Sequence, residues 1–457
     1  MTYSTLLAVI GVAALLAYWL GKRLAARRRR AGDSLNSLND HYGSLVALWS
    51  CLPALILLLL WGLLEEPVIN HLLANQLPET IQADGPASIQ LALSKIHNLA
   101  AGADIEAEPA LLPAVQHWRD LQDQNRLLQV LLLLAFILAG AAYALRRIQG
   151  QVRARYEVER TIEWLLFASS GIAVLTTLGI LLSVLYEAWL FFGQVSPAEF
   201  LFGTTWSPQP ALRVDQAGTS GSFGAIPLFV GTLLVAAIAM LVAVPVGLMS
   251  AIYLAEYAAP TVRHIAKPAL EVLAGIPTVV YGFFAALMVA PTVRELGTGL
   301  GLEVSSESAL AAGLVMGVMI IPFVSSLSDD VLTAVPQSLR DGSYGLGATR
   351  SETILHVVIP AALPGIVGAI MLAVSRAIGE TMIVAMAAGL AANLTLNPLD
   401  SVTTVTVQIV TLLAGDQEFD SAKTLAAFAL GLVLFLVTLS LNFAALRVVN
   451  SYREQYD

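Results

Sequence analysis

A single cysteine, Cys51, stands in a chain of 457 residues, so an intramolecular disulfide cannot form and a cysteine-based metal site is not expected. The six histidines are scattered, with no pair at metal-ligand spacing, and no metal site is expected. Charge is scarce too: Asp, Glu, Lys and Arg make up 12% of the residues, about half of the roughly 25% usual in soluble domains. The chain also lacks a Gly-x-x-x-x-Gly-Lys-Ser/Thr loop and therefore any evident cradle for ATP phosphates. The glycine-rich "GTGLGLE" (297–303) reads as a flexible turn. Apolar length fills the place of these features. Hydrophobic residues reach 57%, and the mean hydropathy is +0.75. Several runs of 18 or more apolar residues are long enough to cross a bilayer. The expected fold is an all-α polytopic transmembrane helix bundle.

Nine spans are predicted, near 3–21, 45–64, 127–145, 164–186, 225–252, 272–291, 309–327, 364–387 and 425–446. With the N-terminus outside and the C-terminus cytoplasmic, the inner segments hold 17 Lys and Arg and the outer segments hold 6. That asymmetry is what the positive-inside rule requires, and the opposite orientation would reverse it. The anchor is "GKRLAARRRR", directly after the first apolar run, an order that also argues against a cleaved signal peptide. The outer segments carry a net charge of −13. Such a face repels small anions, so an anionic cargo would need a separate capturing protein; a merely solvated acidic surface fits the charge equally well.

Residues 1–163 hold three spans, a basic linker and an outer insertion at 65–126. Within the insertion "ASIQLALSKIHNLA" sets Ile89, Leu93 and Ile96 on one helical face. A second helix is expected to begin near Pro113 and to run unbroken into the third span. Residues 164–457 hold six spans with polar connections of unequal length. The stretch "VTTVTVQIVTLLAG" (402–415) is too short to span and reads as a re-entrant piece or as a surface helix. Gly313 and Gly317 suggest close helix packing. Pro277, Thr278 and Tyr281 mark a helix break or an ordinary kink.

The longest cytoplasmic connection, 328–363, contains Asp341-Gly342-Ser343, then Gly347, then Val357-Val358-Ile359-Pro360. Helical tendency on both sides of Gly347 predicts two short helices outside the membrane, suited to a groove on a soluble partner. The spacing resembles the Glu-Ala-Ala coupling loop of ATP-binding-cassette (ABC) importer permeases. It departs from that pattern where Asp341 replaces glutamate and where Gly342 and Ser343 replace alanines. Together with "FGTTWSPQ" (202–209), "LAGIPTVVYGFF" (273–284) and "SRAIGETM" (375–382), the six-span part resembles the PstC-type permeases of phosphate-specific ABC importers.

That resemblance implies a type I ABC importer permease fold with a three-span N-terminal extension, in a bacterial inner membrane. It implies a PstA-type permease as heterodimer partner, two copies of a cytoplasmic ATPase and a periplasmic phosphate-binding protein. ATP and Mg would be bound by the ATPase, leaving this chain without a cofactor and without covalent catalysis. Asp341, Gly342, Ser343, Gly347 and Pro360 would form the surface coupled to the ATPase.

Two charges near the middle of an apolar run complete the picture. Each intramembrane charge costs at least about 2.5–3.5 kcal/mol, so Arg376 and Glu380 need a compensating role. Four residues apart, they would share one helical face. Arg376 offers a planar fork of donors suited to phosphate oxygens, Glu380 would balance it between cycles, and Thr381 adds a hydroxyl. A packing ion pair is the alternative. The rival functions are a permease for another oxyanion or small solute, a proton-coupled secondary transporter using Glu380, and a regulatory membrane protein that only senses phosphate occupancy through its partners.

Overall fold

A computed structural model describes residues 3–74, 86–100, 112–148, 152–208, 221–414 and 421–453. Parts of the outer insertion, at 75–85 and 101–111, lie outside these residues, as does residue 415 of the short apolar stretch. Nine helices among the described residues are long and apolar enough to cross a membrane. The chain is a multi-pass membrane protein, and its fold is an all-helical bundle with one two-stranded ribbon. It divides into two compact units, Met1–Leu175 and Thr176–Asp457.

The first unit is built from α1 (Tyr3–Arg30), α2 (Asn39–Ala74), α3 (Pro86–Ala100), α4 (Leu112–Arg147) and the first half of α5 (Ala154–Gln194). The helix expected from Pro113 does run unbroken through the third span. Leu6, Ile10, Ala54, Leu58, Leu133 and Ile137 join α1, α2 and α4 in one buried cluster. On α3 the buried positions are Ala92 and Ile96, packed with Val115 and flanked by Ile89 and Leu99. Leu93 is not part of that cluster, because the inward face follows 89, 92, 96 and 99. The unit boundary falls within α5, which begins at Ala154, so the 163/164 boundary drawn from the sequence also lies inside this helix. The apolar run of α5 has no buried residue in its most hydrophobic stretch.

In the second unit α6 (Pro197–Phe202) and the ribbon β1 (Trp206–Ser207) with β2 (Ser222–Phe223) precede α7 (Ile226–Ile252). Then come α8 (Pro260–Ala274), α9 (Thr278–Phe284), α10 (Ala290–Gly299) and α11 (Ala309–Ala334). The chain continues through α12 (Gln337–Gly345), α13 (Arg350–Thr353), α14 (Ile359–Ile378), α15 (Met382–Ala387), α16 (Val405–Leu413) and α17 (Ala422–Arg453). Alanines recur through the core beside larger side chains such as Met316 and Ile320: Ala236, Ala239 and Ala243 on α7, Ala309 and Ala312 on α11, and Ala373 and Ala377 on α14. Small residues allow backbones to approach closely, which replaces the hydrophobic drive missing between helices in lipid. Gly313 and Gly317 serve that approach. A Cβ at Gly313 would lie 2.6 Å from Ile238 Cγ2, and one at Gly317 would lie 2.9 Å from Val242 Cβ.

Two spans of this unit differ from the sequence reading. The sixth does not begin at 272: α8 ends at Ala274, Pro277 caps α9, and the apolar helix runs Thr278–Gly299. Pro277 therefore starts a helix, and Tyr281 is buried with its hydroxyl donating to Leu273 O at 3.1 Å. The helix expected from 364 begins earlier, at Arg350, and runs through Pro360 and Pro364 to Ile378. Prolines do not end it because a single π turn at Ile354–Val358 absorbs the first of them. The ring of Pro360 crowds the carbonyl four residues back, on His356, and His356 lies within the widened turn. The same helix also stops short of 387, at Ile378.

Candidate functional site

The segment carrying Arg376 and Glu380 is two helices. Gly379 caps α14, Glu380 lies in the break, and Thr381 precedes α15. The expectation that the two charges share one helical face is corrected by this break. No ion pair joins them among the described residues. Each charge instead lies at a helix end, and only Glu380 engages one directly. Arg376 occupies the last turn of α14, where unpaired carbonyls carry partial negative charge, and its guanidinium carbon sits 5.7 Å from the centre of the Phe323 ring. The Glu380 carboxylate accepts hydrogen bonds from the backbone N–H of Met382 at 3.1 Å and of Ile383 at 3.4 Å. It thereby satisfies two donors that a helix start leaves free.

Arg376 is exposed and Glu380 is buried in this chain. Thr381 is half-buried, its hydroxyl donating to Gly379 O at 3.4 Å. The irregular backbone is covered from the other side: Thr406, on α16, donates its hydroxyl to Glu380 O at 2.9 Å. The α16 helix is packed inside the second unit, with Val405, Val407, Gln408 and Leu412 buried. Gln408 accepts from Trp206 Nε1 at 3.0 Å and donates to Leu390 O at 3.2 Å. The surface-helix alternative for 402–415 fails on this burial. Irregular backbone of this kind is stable in apolar surroundings only where protein or a water-filled cavity covers it.

The residues expected to couple to an ATPase lie together at the opposite end of the Arg350–Ile378 helix. Asp341 and Gly342 are exposed on α12, and Asp341 accepts from Gln337 Nε2 at 3.1 Å. Ser343 meets the Thr353 hydroxyl at 2.9 Å. Gly347 has φ +89°, a left-handed conformation that turns the chain between α12 and α13. Thr349 and Glu352 then close a capping box, with Thr349 N–H donating to Glu352 at 2.8 Å and Glu352 N–H donating back at 3.4 Å. Pro360 lies just past the π turn, in the first turn of α14. Of the two short helices expected outside the membrane, α12 stands alone, and the second is continuous with the span.

Two buried charge clusters flank this loop, and neither was read from the sequence. Arg340 donates from Nη2 to Glu256 Oε1 at 2.9 Å and to Leu332 O at 2.9 Å, and from Nη1 to Val335 O. A polar cavity of about 530 Å³, lined by Gln337, Tyr344 and Arg350, borders the pair. Asp329, 2% exposed, accepts from Arg263 at 3.0 Å and from Lys267 at 2.8 Å, fastening α8 to the end of α11. Hydrogen bonds to Asp329 and Asp330 raise the Lys267 ammonium above the ordinary lysine range.

Comparison with known proteins addresses the family of the chain. Residues 243–454 match the family described as binding-protein-dependent transport system inner membrane component, and residues 7–176 match one described as phosphate ATP-binding cassette transporter. A probable ABC transporter permease of Bacillus subtilis, YqgH, is 34% identical over 57% of this chain and 80% of its own length. The phosphate transport system permease protein PstC 1 of Mycobacterium tuberculosis is 33% identical over 55% of this chain and 81% of its own. The chain belongs to the PstC-type ABC permeases. For the PstC relative from Haemophilus influenzae, 34% identical, the match spans 59% of that protein and 40% of this one. A bacterial alginate ABC transporter of known structure is similar over 64% of this chain and 96% of its own, at 17% identity and a TM-score of 0.44. In this PstC-type permease the two candidate sites lie at opposite ends of one helix, Arg350–Ile378.

Proposed function

We propose that this chain is the transmembrane permease subunit of an ATP-driven importer of inorganic phosphate. The observation that carries this reading is the 33% identity to a phosphate transport permease across 81% of that protein. The exposed α12 supports it, because an outward-facing helix on a tight Gly347 turn suits docking into a groove on a soluble motor. The partners are a PstA-type permease, two copies of a cytoplasmic ATPase that binds ATP and Mg, and a periplasmic phosphate-binding protein. The chain itself carries out no covalent step and lies in the bacterial inner membrane with its N-terminus outside and its C-terminus cytoplasmic. Residues 1–163 form an extension and 164–457 the permease core.

In this reading Arg376 lines the path at the face shared with the partner permease. Its guanidinium meets phosphate oxygens in a planar fork, and the C-terminal carbonyls of α14 balance its charge when phosphate is absent. Glu380 and Thr381 hold the break beside it. A proton-coupled carrier would need Glu380 free to exchange protons, whereas its carboxylate is engaged with the start of α15. Purification from native membranes with partners identified by mass tests the assembly. An ATPase and a second permease are expected in stable amounts, and recovery without an ATPase would overturn the reading.

A further inference from the structure

Arg340 is the buried residue of α12; the other eight are exposed or half-buried. A nine-residue helix is thus seated on its permease by a cation, with no apolar anchor of its own. The partner carboxylate, Glu256, is 7% exposed and lies in the π turn Tyr253–Tyr257 that ends α7. The carbonyls that Arg340 also engages, Leu332 and Val335, end α11. One guanidinium therefore ties α12 to the ends of the two helices that Gly313 and Gly317 pack into a single rod.

The arrangement suits transmission of force. A buried apolar side chain lets a short helix roll or slide, but a planar guanidinium held by one carboxylate and two carbonyls fixes direction as well as distance. Removing either charge leaves the other buried without its partner, so the latch resists opening. We propose that Arg340 and Glu256 are the positioning residues through which movement of α12 reaches α7 and α11, so that ATP hydrolysis and phosphate movement stay linked. This proposal rests on the importer reading above.

The test compares wild type, Arg340→Gln, Arg340→Lys and Glu256→Gln in the reconstituted complex with its ATPase and binding protein. Complex yield, phosphate uptake and ATP hydrolysis are measured on the same vesicles. In Arg340→Gln, ATP hydrolysed per phosphate imported is expected to rise by about fivefold or more, the range of a modest coupling free energy. Arg340→Lys, which keeps a cation within reach of Glu256, is expected to recover part of the ratio. Should Arg340→Gln fail to assemble, Glu256→Gln retains an acceptor for the guanidinium and carries the same measurement. A purely structural role would lower yield, uptake and hydrolysis together, and an unchanged ratio overturns the proposal. A wild-type complex that imports no phosphate overturns the importer reading, and the latch falls with it.

Discussion

Arg376 and Glu380 each lie at a helix end, and they form no pair among the described residues. Arg376 lies in the last turn of α14 and Glu380 caps α15. This arrangement separates two roles that an ion pair would merge. Arg376→Gln, which removes the charge and keeps a polar side chain, is expected to abolish most phosphate uptake while the complex still assembles. Arg376→Lys is expected to recover only part of it, because a point charge does not reproduce the planar fork. Glu380→Leu removes the acceptor for two backbone N–H groups, a loss comparable to that of a helix cap, and about 0.5–2 kcal/mol of stability should go with it. The double variant Arg376→Gln with Glu380→Gln is expected to stay as impaired as Arg376→Gln alone. Uptake and complex yield for the four variants check this, and uptake restored in the double variant would show that pairing and packing were the role.

At the scale of elements, the decisive contacts are close approaches and one left-handed turn. Leucine at Gly317 would drive side-chain atoms into Val242 and the Ala239 carbonyl, an overpacking worth about 1–3 kcal/mol, visible as a lower Tm of the purified protein. Valine at Gly347 meets open space but must adopt φ +89°, a strain of about 1–3 kcal/mol that α12 relieves by moving. Transport and substrate-stimulated ATPase activity should fall together in Gly347→Val, with yield kept; unchanged stimulation would place the coupling surface elsewhere. The spans themselves were legible because 18-residue apolar runs admit few alternatives, and the loop with Gly347 was legible from its spacing. The break at Gly379–Thr381 was not, since apolar composition continues on both sides and only Glu380, capping two N–H groups, marks it. The Glu256–Arg340 pair was hidden for another reason: its members are 84 positions apart, and each alone reads as a solvated loop charge.

For the whole molecule, the cation asymmetry sets an orientation that labelling can read. In a background with Cys51 replaced, single cysteines at exposed positions of α3 should react with an impermeant thiol reagent from the outer side, and reaction only after cytoplasmic access would reverse the topology. In the proposed orientation the outer segments carry a net charge of −13, and phosphate capture there is expected to fall to a separate binding protein. The most direct measurement of the central claim is uptake of radiolabelled phosphate into vesicles holding the purified complex. Uptake is expected only with the binding protein present and hydrolysable ATP on the cytoplasmic side, and it should persist when the proton gradient is collapsed. Uptake driven by a proton gradient without ATP, or none with every component present, would contradict it.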